Sequence, residues 1–120
     1  MNILDLSLTY HWYDEIEAGR KPEEYRDTTD YYTSRLMYRK DIESERRFRE
    51  FAGMEQLTLP ELVRWFAKQY DAIRFHRGQG SRTTMLVEYK GLAIGRGNTA
   101  WGAPTDKDVY ILKLGNKINQ

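Results

Sequence analysis

The stretch Gly19-Arg20-Lys21-Pro22-Glu23-Glu24-Tyr25-Arg26 decides how this chain is read. Its fixed places, Gly19, Lys21, Glu24 and Arg26, spell G-x-K-x-x-E-x-R directly after a short helical segment. On its own a mixed-charge octet is a solvated turn running into an edge strand. The residues on either side give it more weight. Lys21 precedes Pro22, which biases its backbone toward extended geometry and away from helix. Glu24 and Arg26, two apart, share one face of a regular strand, and Lys21 points the other way. A common site for all three therefore requires a bend near Pro22, which a proline at a strand start permits.

Ahead of the octet, Leu4-Asp5-Leu6-Ser7-Leu8 alternates apolar and polar residues as a half-buried strand does. Thr9 is placed to cap a helix over 10–18, with Leu8, Trp12 and Ile16 spaced by four and Gly19 as its stop. Beyond it, helical patterns run over 30–38, 43–52 and 59–70. The last has a capping box, Thr58-x-x-Glu61, with Pro60 in its first turn and an apolar stripe through Leu62, Val63 and Phe66. The period then changes to two: strands are predicted at 72–76, at 84–90 with a continuation to 94, and at 109–114, separated by a long glycine-rich connection over 95–108. Five or six short strands with helices between the second and third fit one α+β domain over residues 1–120, a small mixed barrel with flanking helices.

Bulk properties narrow the classes. At 120 residues the chain suffices for one core. Hydrophobic residues at 40% and aromatics at 13% argue for a folded globule rather than disorder. No apolar run approaches the roughly 18 residues of a membrane span, and the acidic residues within 1–20 do not suit a signal peptide. With no cysteine there is no thiolate metal site or disulfide framework, and a cytoplasmic location is expected. Net charge is only +1, yet residues 1–34 carry three basic against eight acidic residues, a net of −5, leaving +6 for the rest. Such asymmetry marks either a nucleic-acid face or the charge noise of a mixed surface.

In this order (Leu6-Ser7-Leu8, Trp12, Ile16, then the octet, with late strands around Ile73-Arg74-Phe75 and 109–115) the chain resembles the ASCH domain family, a branch of the PUA-like β-barrels. The resemblance spans most of the length, with a helical insertion at about 28–69. It implies a small barrel whose cleft is floored by the motif, a link to RNA binding, and a cytidine-directed activity in some small bacterial members, which are amidohydrolases acting on N4-acetylcytidine. Those members carry a threonine in place of Glu24, and their catalytic carboxylate has no matching position here.

The candidate chemistry follows. Lys21 is placed to polarise a carbonyl, act as a base after desolvation, or stay charged and hold a phosphate. Glu24, oriented by Arg26, is suited to accept from a nucleobase amino group, as carboxylates do from cytosine N4, or to activate water. If the protein is an enzyme, Lys21 and Glu24 are its catalytic pair. Tyr10 or Trp12 can stack a base, although the row Leu8, Trp12, Ile16 favours a core role for Trp12. Ser7 offers a hydrogen-bonding hydroxyl. Arg74 and His76, with Arg77 and Arg82, read as a basic rim for phosphates. His11 and His76 lie too far apart in sequence, without a carboxylate cluster, to suggest a metal site. No cofactor is implied. Three functions stand open: a module binding RNA or a modified nucleoside through Lys21, Glu24 and Arg26; an amidohydrolase deacylating a cytidine-type base; and a protein-interaction module working through the helices at 30–70, with an apolar patch near Phe48 or Trp65.

Overall fold

The computed structural model describes residues 1–118. Five strands and four helices run in the order β1 (Ile3–Leu8), α1 (Tyr10–Glu17), β2 (Glu23–Arg26), α2 (Asp30–Leu36), α3 (Arg39–Phe51), α4 (Leu59–Phe66), β3 (Ala72–Arg77), β4 (Thr84–Gly95) and β5 (Val109–Ile118). The strands form one sheet in the order β1-β3-β4-β5-β2, with β1 parallel to β3 and the other pairs antiparallel. The sheet curls into a half-barrel, an α+β arrangement with the helices around it. Among the described residues no helix is long and apolar enough to cross a membrane.

The curl brings the two edge strands, β1 and β2, toward each other, and side chains bridge the seam between them. The Arg26 guanidinium of β2 donates to the Ser7 carbonyl of β1 at 2.9 Å, and Arg35 of α2 donates to the Asp5 carbonyl at 2.8 Å. Two carbonyls of β1 are thus satisfied by arginines instead of a neighbouring strand, which leaves few bare backbone acceptors along that edge.

The core lies inside the curl. Leu4, Leu6 and Leu8 of β1 alternate with exposed Asp5 and Ser7, and pack with Ile73, Phe75, Val87 and Leu112. From α1 the buried pair is Tyr13 and Ile16, not the row through Trp12. That row mixed a strand residue, Leu8, with helical ones, so its spacing of four described no single face; Trp12 is half-buried against the core.

The helical insertion differs in its bounds from the sequence expectation. The third insertion helix ends at Phe66 instead of Tyr70, because Ala67 turns extended and bridges Met37. Tyr38 N–H donates to the Phe66 carbonyl and Lys68 N–H to that of Leu36, so the ends of α2 and α4 are stitched by a scrap of sheet. Middle helix α3 starts at Arg39, earlier than expected, and buries only Ile42. The capping role read for Thr58 is present: its hydroxyl accepts from Glu61 N–H at 3.4 Å.

Candidate functional site

Local sequence explains how the motif enters the seam. Gly19, at φ +78°, adopts the left-handed conformation that glycine accepts at low cost. Its N–H donates to the Ile16 carbonyl, and that of Arg20 to the Glu15 carbonyl, both at 3.0 Å. These two bonds form a Schellman stop that reverses the chain after α1. Lys21 and Pro22 follow outside regular structure, the Pro22 carbonyl accepting from Leu114 N–H of β5 at 3.0 Å, and β2 begins at Glu23. Because Lys21 lies outside the strand, its side chain is not bound by strand alternation, and the bend that a shared site required is present.

Three charged side chains meet there. Lys21 Nζ donates to Glu24 Oε1 at 3.0 Å, and an Arg26 terminal nitrogen contacts Glu24 Oε2 at 2.6 Å. Lys21 is 3% exposed and Glu24 5%. Lys21 Nζ also lies 4.4 Å from the centre of the Trp12 ring and 5.3 Å from that of Tyr25, so cation–π attraction replaces part of its lost hydration. Arg26 reaches further, donating to the Tyr32 hydroxyl at 2.9 Å. Desolvation acts to lower the Arg26 pKa, but Glu24 and Tyr32 outweigh it and hold the guanidinium above its ordinary value, so it stays charged. A carboxylate has about four lone-pair sites; Lys21 and Arg26 occupy one on each oxygen.

Above this triad opens a cavity of about 310 Å³. Ser7 and Thr9 border it from the β1 side, Trp12 from α1, Glu24 and Arg26 from β2, and Tyr32 from α2. Thr9 takes the extended backbone of a helix cap, but its side chain makes no capping bond. The long connection over 96–108 closes one side. It is built around a short 3-10 turn, Thr99–Trp101, followed by Gly102 at φ +94°. A Cβ at Gly102 would lie 2.8 Å from Trp12 Cζ2, and one at Gly97 would lie 2.6 Å from the Tyr25 ring, so only glycines let this loop lie against the two aromatics. Arg96 serves the loop itself, pairing with Asp108 at 3.2 Å and donating to the Thr105 carbonyl. The Tyr25 hydroxyl donates to Glu23 at 2.8 Å and accepts from Asn98 N–H at 3.0 Å. Burial first, and then Glu23, push its pKa up to about 12 against the opposing Asn98 bond, so it remains a protonated donor at neutral pH.

The other residues singled out in the sequence lie elsewhere. Tyr10 is 61% exposed at the start of α1, outside the cavity lining, with the Arg77 guanidinium 4.4 Å from its ring centre. Arg77 is also held by Asp14 through two bonds of 3.0 and 3.1 Å. Arg74 and His76 both engage Asp5, at 3.3 and 2.8 Å, on the outer face of β1 and β3. The His76 contact is the main reason the Asp5 carboxyl is held below its ordinary value of 3.8, with Arg74 adding to it against the opposing effect of burial. The basic rim is thus largely neutralised by carboxylates of its own chain. Sequence reasoning did not single out Tyr25, Tyr32 or Gly102. Tyr25 sat inside the motif between two chosen residues, and the glycines of the long connection marked a close approach. Nothing local could have marked Tyr32, which arrives from the insertion.

Compared with known proteins, the chain matches no family model, no curated protein and no solved structure.

Proposed function

We propose that this protein is an ASCH-like, PUA-like binding module that holds a cytosine-type base, free or within RNA, in the cavity between β1 and β2. The reading is carried by one observation: a buried carboxylate, fixed on both oxygens by Lys21 and Arg26, still faces a cavity. Such a group is a preorganised acceptor. It spends no further free energy on orientation when an amino group arrives, and an isosteric base with a carbonyl there meets an acceptor facing an acceptor. Trp12 and Tyr32 supply apolar and aromatic surface beside it, and Ser7 and Thr9 supply polar edges. A cavity of this volume sits at the lower end of ligand sites, suiting one nucleoside. The order of strand, helix and motif adds to the ASCH-like reading.

The arrangement supports binding over hydrolysis. Lys21, the group an amidohydrolase would need at its substrate, has its Nζ on Glu24 beneath the Trp12 ring and does not line the cavity. Its role in this reading is to position Glu24.

The test is calorimetric titration of cytidine and uridine into wild type and Glu24→Gln. Discrimination by one well-placed contact is worth about 1–3 kcal/mol, so wild type is expected to prefer cytidine by roughly five-fold or more. Glu24→Gln, folded as judged by near-ultraviolet circular dichroism, is expected to lose most of that preference. Equal affinity of the wild type for both nucleosides, or binding of neither, refutes the reading.

A further inference from the structure

A second groove lies away from the seam, where the end of α4 meets the middle of β4. Its volume is about 320 Å³, and its walls combine Arg64, Lys68 and Lys90 with Trp65, Tyr70 and Tyr89, without a carboxylate among them. These cations differ from those of the β1–β3 face: among the described residues none of the three pairs with an acidic side chain. Lys68 Nζ donates to the Ser34 carbonyl at 2.9 Å and lies 6.0 Å from the centre of the Tyr38 ring, neither of which supplies a counter-charge. Arg64 lies 5.5 Å from the centre of the Trp65 ring, and that indole is 66% exposed.

The backbone explains the composition. The pairing of β4 with β5 shifts register between Val87 and Tyr89 and again between Tyr89 and Gly91, where φ is +136°. This irregularity breaks the alternation of the strand, so Tyr89 and Lys90, consecutive residues, both border the groove. Opposite them the abrupt end of α4 at Phe66 presents Arg64, Trp65 and Lys68. Cations without counter-charges beside an exposed indole are what a phosphodiester chain with unstacked bases requires: the cations release counterions from phosphates, and the ring offers a face to any base.

We propose that this groove binds single-stranded nucleic acid, with backbone phosphate between Arg64, Lys68 and Lys90 and a base stacked on Trp65. The inference is independent of the seam cavity. The probe is a fluorescein-labelled ten-residue oligouridylate, because uracil lacks the amino group that Glu24 is read to recognise. Fluorescence anisotropy is measured from low to moderate salt for wild type, Arg64→Gln/Lys90→Gln and Trp65→Ala. Three phosphate contacts on a single strand give a slope of log affinity against log salt of about −2, and losing two of them leaves about −0.7. Trp65→Ala is expected to weaken binding about ten-fold, within the range for one base–aromatic stack. The substituted groove residues lie at the surface, so thermal unfolding of the variants should match wild type. Four results each overturn the proposal: no binding of the oligouridylate; binding insensitive to the groove variants; equal affinity for duplex RNA, which would mean charge without stacking; or Trp65-dependent capture of phosphatidylserine vesicles in place of RNA, which would make the groove a lipid-facing surface.

Discussion

Glu24→Ala should cost this protein about 3–5 kcal/mol of stability, the loss typical when one partner of a buried ion pair is removed. The substitution leaves Lys21, 3% exposed, and the largely buried Arg26 as neighbouring cations with no anion between them. Each had exchanged its hydration for Glu24, and the Trp12 and Tyr25 rings return only part of that for Lys21. Lys21→Met should cost less, because Glu24 then retains Arg26 and the methionine fills space beside Trp12. Urea unfolding followed by circular dichroism measures both. A loss below about 1 kcal/mol for Glu24→Ala, the scale of an exposed pair, would mean that water reaches the triad and that Glu24 is not held as argued.

The second large effect is expected at Gly102, where Gly102→Ala should cost about 2–4 kcal/mol, combining left-handed strain with overpacking. The backbone there has φ +94°, and the added methyl would meet the Trp12 ring at 2.8–2.9 Å from two of its carbons. Because Trp12 borders the seam cavity, the indole must move, and ligand affinity should fall along with stability. Trp12→Ala in the same chain removes the clash and leaves the strain, so the two substitutions should be non-additive. Thermal unfolding of the two single variants and the double variant gives the coupling. Strict additivity would show that the loop does not rest on the indole.

Much of the fold was legible in local pattern. The alternation of Leu4, Leu6 and Leu8, the stop at Gly19 and the change to period two after Ala72 each reflect an element whose burial face repeats within a few residues. Where tertiary contacts decide, the reading slipped. Tyr70 continues the apolar rhythm of α4, yet the chain leaves the helix at Ala67 because pairing with Met37 satisfies those backbone groups instead. Trp12 stands four residues after Leu8, but Leu8 belongs to a strand and the buried helix face runs through Tyr13 and Ile16.

The site shows the same division. Lys21, Glu24 and Arg26 could be grouped because they lie within six residues and Pro22 allowed a bend. Ser7 and Trp12 join them through the strand–helix unit that precedes the motif. Tyr32 and Gly102 come from segments whose approach depends on the curl of the whole sheet. Arg74, His76 and Arg77 look like a phosphate rim in sequence, but their carboxylate partners, Asp5 and Asp14, stand more than sixty residues earlier and reach them only through the parallel pairing of β1 with β3 and the packing of α1 on it.

The central claim is that a base sits between β1 and β2 against Glu24, and nuclear magnetic resonance tests it most directly. Nitrogen-15-labelled protein is titrated with cytidine while the Trp12 indole and the backbone amides of Ser7, Glu24 and Arg26 are followed. The account predicts saturable shifts confined to these positions and to Tyr32 and Gly102, absent in Glu24→Gln. Shifts that map to α4 and β4 alone, or no shifts with cytidine, would contradict it.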